Sequence, residues 1–333
     1  MSKLRLSIVT ENYDRIQALK TGAVEVPGCR LDYTNMKPAA TFSHVFRQHD
    51  FDIIEMSFSS YMMNLAKGGF PYRAIPVFLS RVFPHGSIYI RTDRGIAAPQ
   101  DLKGRLVGIP NYHFTRGLTV KGMLEDEYGV KPSDIGWRTG PVDRAGEAEY
   151  SEPVAPPGID IRSIAQGATL GEELLAGRLD AIISYRAPQL FTDGQPLVGR
   201  LFADFRPVEQ DWFRRKGIFP VMHVVGLRED LIARHPALPA DLCRAFEAAK
   251  AACLPSLSDL DALAVTLPWL VAETEATIRL MGPDYWPYGV ARNQATIEAQ
   301  TRWSFAQGLS GRRLSAAELF APGTLDWTAA AAP

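Results

Sequence analysis

Short apolar runs of strand length alternate with stretches of helical period over the first part of the chain, and everything after Arg228 is helical in pattern. Residues 4–9 read as a first strand, followed by a loop carrying Glu11, Asn12, Tyr13, Asp14 and Arg15 and by a short helix ending at Gly22. Residues 31–33 and 52–55 predict two more strands, with Phe42, Val45 and Phe46 on one helical face between them. The stretch 52–61 then takes a strand to the carboxylate of Glu55 and passes through a Ser-rich turn into a helix over 59–65. A strand ending on a carboxylate beside a helix N-terminus gathers N–H groups, hydroxyls and a charge at one point. That is the geometry of an anion-binding crevice, although an ordinary Ser-capped joint uses the same residue types.

Further strands are expected at 74–79, 87–91, 105–109, 135–138, 159–164 and 179–184. Helices are expected at 118–128, closed by Gly129, and at 169–176. The apolar run 217–227 contains Pro220, which predicts an edge or crossing strand, because proline cannot donate to a ladder. Residues 236–253, 268–281 and 294–307 predict the terminal helices. The segment 140–158, rich in Pro, Gly and charge, predicts a surface excursion or a flap. Strands alternating with helices at this spacing give an α/β fold of βαβ units around a mainly parallel sheet. Two lobes follow, one of residues 1–88 with 225–333 and one of residues 89–224. The chain would cross between them near 87–91 and 219–224, which makes a hinged cleft with ligand groups on the strand ends facing it.

A chain of 333 residues is long enough for two cores. A net charge of −1 gives no basic field for nucleic acid and no acidic tail. Cys29, Cys243 and Cys253 are scattered without CxxC spacing, and read as reduced thiols rather than a disulfide framework or zinc site. No segment approaches the ~18 apolar residues of a membrane span, and no run near the start has the length of a signal-peptide core. A soluble, cytoplasmic protein without nucleic-acid or membrane partners is the expectation. Dinucleotide and P-loop glycine motifs are absent, as is the Gly-x-Ser-x-Gly elbow of serine hydrolases.

Several blocks carry a resemblance. DIIEMSFSSYMMNL, AIPVFLSRVFPHGSIYI, DLKGRLVGIPNY, YRAP, FRRKGIFPVMHVV, WPYGVARNQATIEA and GLSGRRLSAAELFAP follow one another along nearly the whole chain. Together they resemble the 4,5-dihydroxyphthalate decarboxylase family. The resemblance implies a type II periplasmic-binding-protein-like fold with a ligand cleft between lobes, and a carboxy-lyase acting on a hydroxylated aromatic acid. After Tyr112 the chain departs from the family pattern: where a Thr-Ala step and an aromatic residue lead into the helix, it reads His113-Phe114-Thr115-Arg116-Gly117-Leu118-Thr119. An added arginine and a lost aromatic residue at a cleft-facing helix N-terminus bear on the identity of the substrate.

Loss of CO2 from an electron-rich ring needs clamps for carboxylate, a base near the phenol and a proton donor near the ring. Arginine is the best carboxylate clamp, because its planar fork makes two charge-assisted bonds. Arg15, Arg81, Arg116 and Arg186 sit on expected cleft loops, and Arg81 and Arg186 follow strands within matched blocks. Surface or interlobe ion pairs would use the same residues. Ser57, Ser59 and Ser60, with Tyr112 and Thr115 at the next cleft helix, are further substrate-binding candidates. His223 and His85, on the two crossing segments, are the candidate proton carriers, with Glu55 and Asp14 as candidate bases or orienting groups. A hydrogen-bonded core histidine and a helix-capping carboxylate are the plainer readings of those residue types. No cofactor is expected. A divalent ion held by His85, His223 and Glu55 would require those three to converge. The block Tyr285-Trp286-Pro287-Tyr288-Gly289 either walls the cleft, packs in the core or forms a subunit interface, and a homo-oligomer is expected. Two rival functions remain: a solute-binding protein for a small organic anion, and a different lyase or hydrolase on the same scaffold.

Overall fold

The computed structural model describes residues 3–36, 38–145 and 154–328, so part of the 140–158 excursion lies outside the described residues. Among the described residues there are eleven strands in two sheets. The first sheet comprises β1 (Leu4–Thr10), β2 (Cys29–Asn35), β3 (Ile53–Ser57), β4 (Tyr72–Arg81) and β11 (Val221–Arg228), in the order β2-β1-β3-β11-β4. The second comprises β5 (Ile88–Arg91), β6 (Leu106–Ile109), β7 (Gly136–Thr139), β8 (Ile161–Ser163), β9 (Ala181–Ile183) and β10 (Val198–Arg200), in the order β10-β5-β9-β6-β7-β8.

Strand direction decides where chemistry can gather. β1 runs parallel to β2 and β3, whereas β11 is antiparallel to both β3 and β4. The carboxyl ends of β1, β3 and β4 therefore lie at the edge where β11 begins. From that edge the chain leaves for the second sheet after Arg81, and it re-enters there at Val221. β5 is antiparallel to β9 and β10, and β6 is parallel to β9, so the second sheet presents the ends of β6, β9 and β10 beside the start of β5. Both crossings thus connect the carboxyl edges of the two sheets, the edges at which open α/β sheets place ligands.

Two expectations about this region are corrected. Residues 217–227 are not an edge strand: Pro220 lies one residue before β11 begins, costs the ladder nothing, and leaves β11 free to pair on both sides. The return to the first sheet comes at Val221, so 221–224, placed in the second lobe from the sequence, pair with β3 and β4. The expected mainly parallel character fails at β11 and β5, because a strand entering a sheet from its carboxyl edge must run against its neighbours.

β3 is buried along its whole length, as befits a strand covered on both faces. Its end passes directly into the helix Phe58–Lys67, whose buried face includes Phe58, Tyr61 and Met62. The corresponding helix of the second sheet, Thr115–Tyr128, follows β6 and is closed by Gly129 in the left-handed conformation at φ 63°, where a side chain would be strained. The return crossing carries the helix Phe205–Lys216. Among the described residues no helix is long and apolar enough to cross a membrane.

Candidate active site

Glu55 is the centre of the most tightly organised polar cluster at the shared edge. Its side chain is 1% exposed, and His223, on the neighbouring strand β11, is 16% exposed. His223 Nδ1–H donates to Glu55 Oε1 at 2.6 Å, and the Tyr13 hydroxyl donates to the same oxygen at 2.6 Å. The Glu11 backbone N–H donates to Glu55 Oε2 at 2.8 Å. Burial alone would push the Glu55 carboxyl up. The hydrogen bond and charge of His223, the Tyr13 hydroxyl and the Glu11 N–H outweigh it and hold the group below its usual range. Burial, reinforced by the Glu55 charge, pushes the Tyr13 phenol up, so it stays a neutral donor. With Nδ1 committed to Glu55 on a ring that is 16% exposed, Nε2 is left without a protein hydrogen bond among the described residues. Phe42 packs edge-on against the ring at 4.9 Å between centroids.

This is an oriented imidazole: a carboxylate fixes its tautomer and supports its charged form, leaving one nitrogen to exchange protons. Tyr13 was not singled out from the sequence. Its signal was its position at the carboxyl end of the first strand, where a residue faces the cleft.

The predicted second members of this cluster lie elsewhere. Asp14 pairs with Arg15 at 2.9 Å and is half-exposed, so it does not join Glu55. His85 is buried against Phe202 and Trp212, with Nδ1 3.7 Å from Glu209 Oε1 and neither nitrogen hydrogen-bonded. Glu55, His223 and His85 therefore do not converge, and among the described residues no group of three His, Cys, Asp or Glu side chains is placed to hold a metal ion.

The serines occupy the predicted place, but they are bonded to the other sheet. Ser57 Oγ and Ser59 Oγ each lie 3.0 Å from Thr115 Oγ1, and the Ser59 backbone N–H donates to that same oxygen at 3.2 Å. Two helix N-termini thus meet through three buried hydroxyls, which clasp the sheets together and concentrate partial positive charge at one point. Ser60 Oγ is buried without a partner.

The arginines divide by what they already hold. Arg15 donates through Nε and Nη2 to the Leu79 carbonyl, and its guanidinium lies between the Tyr13 and Trp286 rings, 4.2 and 4.4 Å from their centroids. Arg81 is committed to acceptors on the return crossing and in the C-terminal segment. It donates to the Phe219 carbonyl at 2.6 Å, the Pro287 carbonyl at 3.0 Å and Asn293 Oδ1 at 2.7 Å. Burial lowers its pKa to about 9, which still leaves it charged at neutral pH. Arg116 donates to the Tyr185 carbonyl at 2.9 Å, and its Nε is buried without a partner. Arg186 Nε stands 3.4 Å from Asp143 Oδ2. Tyr112 is buried on the cation of Lys121, and its neighbour His113 is held near pKa 4 by burial and by the charges of Lys121 and Lys67, hence neutral.

Arg81, Arg116 and Arg186 line one cavity of about 610 Å³ between the sheets, together with Arg200, Arg206, Glu209 and Glu273. Its aromatic wall includes Phe83, Tyr185, Phe219 and Trp286. Glu55 and His223 are not in that lining, but a continuous stack links the two regions. Trp286 lies on Arg15, Arg15 on Tyr13, and Tyr13 is hydrogen-bonded to Glu55. Trp286 is oriented by its indole N–H to the Phe78 carbonyl and by Lys250, which donates to the Trp286 carbonyl.

No family model matches the chain. A 4,5-dihydroxyphthalate decarboxylase of Comamonas testosteroni is 42% identical over 326 residues, covering 98% of this chain and 99% of the relative. A second, from Pseudomonas putida, is 41% identical over 214 residues, 64% of this chain and 83% of the relative. Among solved structures, the periplasmic aliphatic sulphonate binding protein SsuA of Escherichia coli superimposes with a TM-score of 0.53 at 12% identity, over 96% of this chain and 92% of that one. The alkanesulfonate-binding SsuA of Xanthomonas axonopodis pv. citri gives 0.51 at 13% identity, over 96% and 98%. These structures share the two-sheet periplasmic-binding-protein-like fold. The full-length similarity to the decarboxylases goes further, and by it the chain belongs to the 4,5-dihydroxyphthalate decarboxylase family.

Proposed function

We propose that the chain is a carboxy-lyase that removes CO2 from a hydroxylated aromatic dicarboxylic acid of the 4,5-dihydroxyphthalate type, using no cofactor, as a cytoplasmic homo-oligomer. The observation that carries the reading is 42% identity to a 4,5-dihydroxyphthalate decarboxylase across 98% of the chain. The arrangement around Glu55 supports the chemistry. A phenol para to the departing carboxylate, once partly or fully deprotonated, sends charge into the ring and makes the carboxyl-bearing carbon basic. The His223 Nε2–H bond then breaks as a C–H bond forms at that carbon. The C–C bond to the carboxylate cleaves, its electron pair restores the ring, and CO2 departs. Glu55 stabilises the imidazolium before transfer, and the phenolate oxygen recovers its proton once CO2 has left. Exchanging a carboxylate for C–H consumes one proton per turnover, and solvent water restores it to His223 before the next cycle.

The hydroxyls of Ser57, Ser59 and Thr115 and the arginines of the cavity are the groups suited to carboxylates. Burial in an aromatic-walled cavity favours expulsion of neutral CO2 over retention of a carboxylate poorly solvated there. The test is CO2 release, with product identified by mass spectrometry, on a panel of hydroxylated aromatic acids before and after exhaustive chelation. Turnover surviving chelation is expected. Recovery of every acid unchanged, including from metal-supplemented protein, would reject the enzyme reading and leave a solute-binding protein.

A further inference from the structure

Arg200 ends β10 at the same edge that receives the chain crossings, and it faces the cavity between the sheets. Three aromatic rings cage its guanidinium: Tyr89, Phe191 and Phe205 lie 5.6, 4.6 and 4.9 Å from it. Its Nε donates to the Gly86 carbonyl at 3.3 Å. The two terminal nitrogens, which form the edge that matches a carboxylate, donate to no protein acceptor among the described residues, and no ion pair engages them there. The carboxylates on the same wall are otherwise placed: Glu273 pairs with Arg206 at 2.6 Å, and Glu209 accepts the Gly86 N–H at 3.2 Å. Tyr89, opposite Arg200 in the β10–β5 ladder, and Gly86 and Ser87 just before β5 connect it to Arg116, whose Nη1 is 3.4 Å from Ser87 Oγ. Aromatic stacking fixes the plane of a guanidinium without consuming its N–H donors, so the cage holds the fork in place for a planar anion.

We propose that Arg200, with Arg116 beside it, binds the carboxylate that the substrate keeps, and so selects aromatic dicarboxylates over monocarboxylates. The inference rests on the decarboxylase reading. It adds a specificity residue on β10, apart from the proton-transfer pair on β3 and β11. The retained group stays anchored while the other carboxylate leaves, and the product keeps one anionic contact.

Calorimetry with two unreactive probes, phthalate and benzoate, tests the binding, and steady-state kinetics test its use. Wild type should bind phthalate at least tenfold more tightly than benzoate, and Arg200→Gln should lose most of that preference, with benzoate affinity changed less than threefold. With a substrate that turns over, Arg200→Gln should raise KM about 10- to 100-fold and lower kcat less than threefold, as loss of a charge-assisted contact to the non-reacting part requires. Arg200→Lys keeps the charge but loses the fork and should fall between. It also serves as the readable variant if the Gln protein has a lowered Tm. Undiminished phthalate preference in both variants would overturn the inference even if wild type is an active decarboxylase. Wild type inactive on every acid would instead defeat the underlying functional reading.

Discussion

The two polar regions of the cleft are built on opposite electrostatic plans. Around Glu55 each charge is already answered: the carboxylate accepts from His223, Tyr13 and Glu11, and its burial is compensated bond by bond. In the cavity the charges are unbalanced, with five arginines against two glutamates in the lining. A satisfied cluster is rigid and keeps its geometry without ligand, which suits proton transfer. A surplus of guanidinium is incomplete until an anion arrives, which suits binding. On the function proposed above, turnover belongs to one region and affinity to the other, so substitutions in each should move different kinetic constants.

The largest effect is expected at His223. His223→Asn should reduce kcat by ~10²–10⁴-fold, the range for losing a positioned proton carrier, while the dissociation constant measured by calorimetry changes less than threefold. A variant that turns over normally but binds weakly would reverse the two assignments.

Glu55→Gln should follow with ~10²-fold or more in kcat, because an amide cannot stabilise the imidazolium. It also has a stability signature. The Glu55 carboxyl is held below its ordinary value in the folded protein, so its contribution is fully present above the unfolded carboxylate pKa and disappears as pH falls through the lower folded one. The Tm difference between wild type and Glu55→Gln should therefore be constant near neutrality and shrink on acidification below about pH 4, the range in which unfolded carboxylates titrate. A difference that grows with acid would contradict the depressed carboxyl.

A smaller effect separates two uses of the interlobe hydroxyls. If Ser57 and Thr115 serve only as a clasp, Thr115→Val should lower stability by ~1 kcal/mol, the net worth of such bonds, and leave KM alone. The binding assignment instead predicts a KM increase of several-fold, since a bound carboxylate would take over these donors. Thermal melts and initial rates on the same protein distinguish them.

Much of this was legible in the residue pattern because strand ends announce themselves. Glu55 closes a short apolar run before a Ser-rich turn, and His223 interrupts another, so both could be placed at a cleft edge before their partnership was known. That partnership spans 168 residues and depends on the register that sets His223 opposite Ser57, which no local pattern specifies. Arg81 shows the converse. It follows a strand, as a clamp would, but its acceptors include the backbone carbonyls of Phe219 and Pro287, and a carbonyl has no signature in a sequence. Pro220 pointed to an edge strand because one residue separates a proline that breaks a ladder from one that merely precedes it. Arg200 went unnoticed because β10 is only three residues long and too short to register as a periodic element.

The central claim is that Glu55 and His223 act as one proton-transfer unit, and a double-mutant cycle on kcat tests it directly. If they do, Glu55→Gln added to His223→Asn should cost less than about threefold more, because a carboxylate with no imidazole to orient has nothing left to contribute. Losses that multiply, with the double variant slower than His223→Asn by the full factor of Glu55→Gln alone, would show that the two residues act independently.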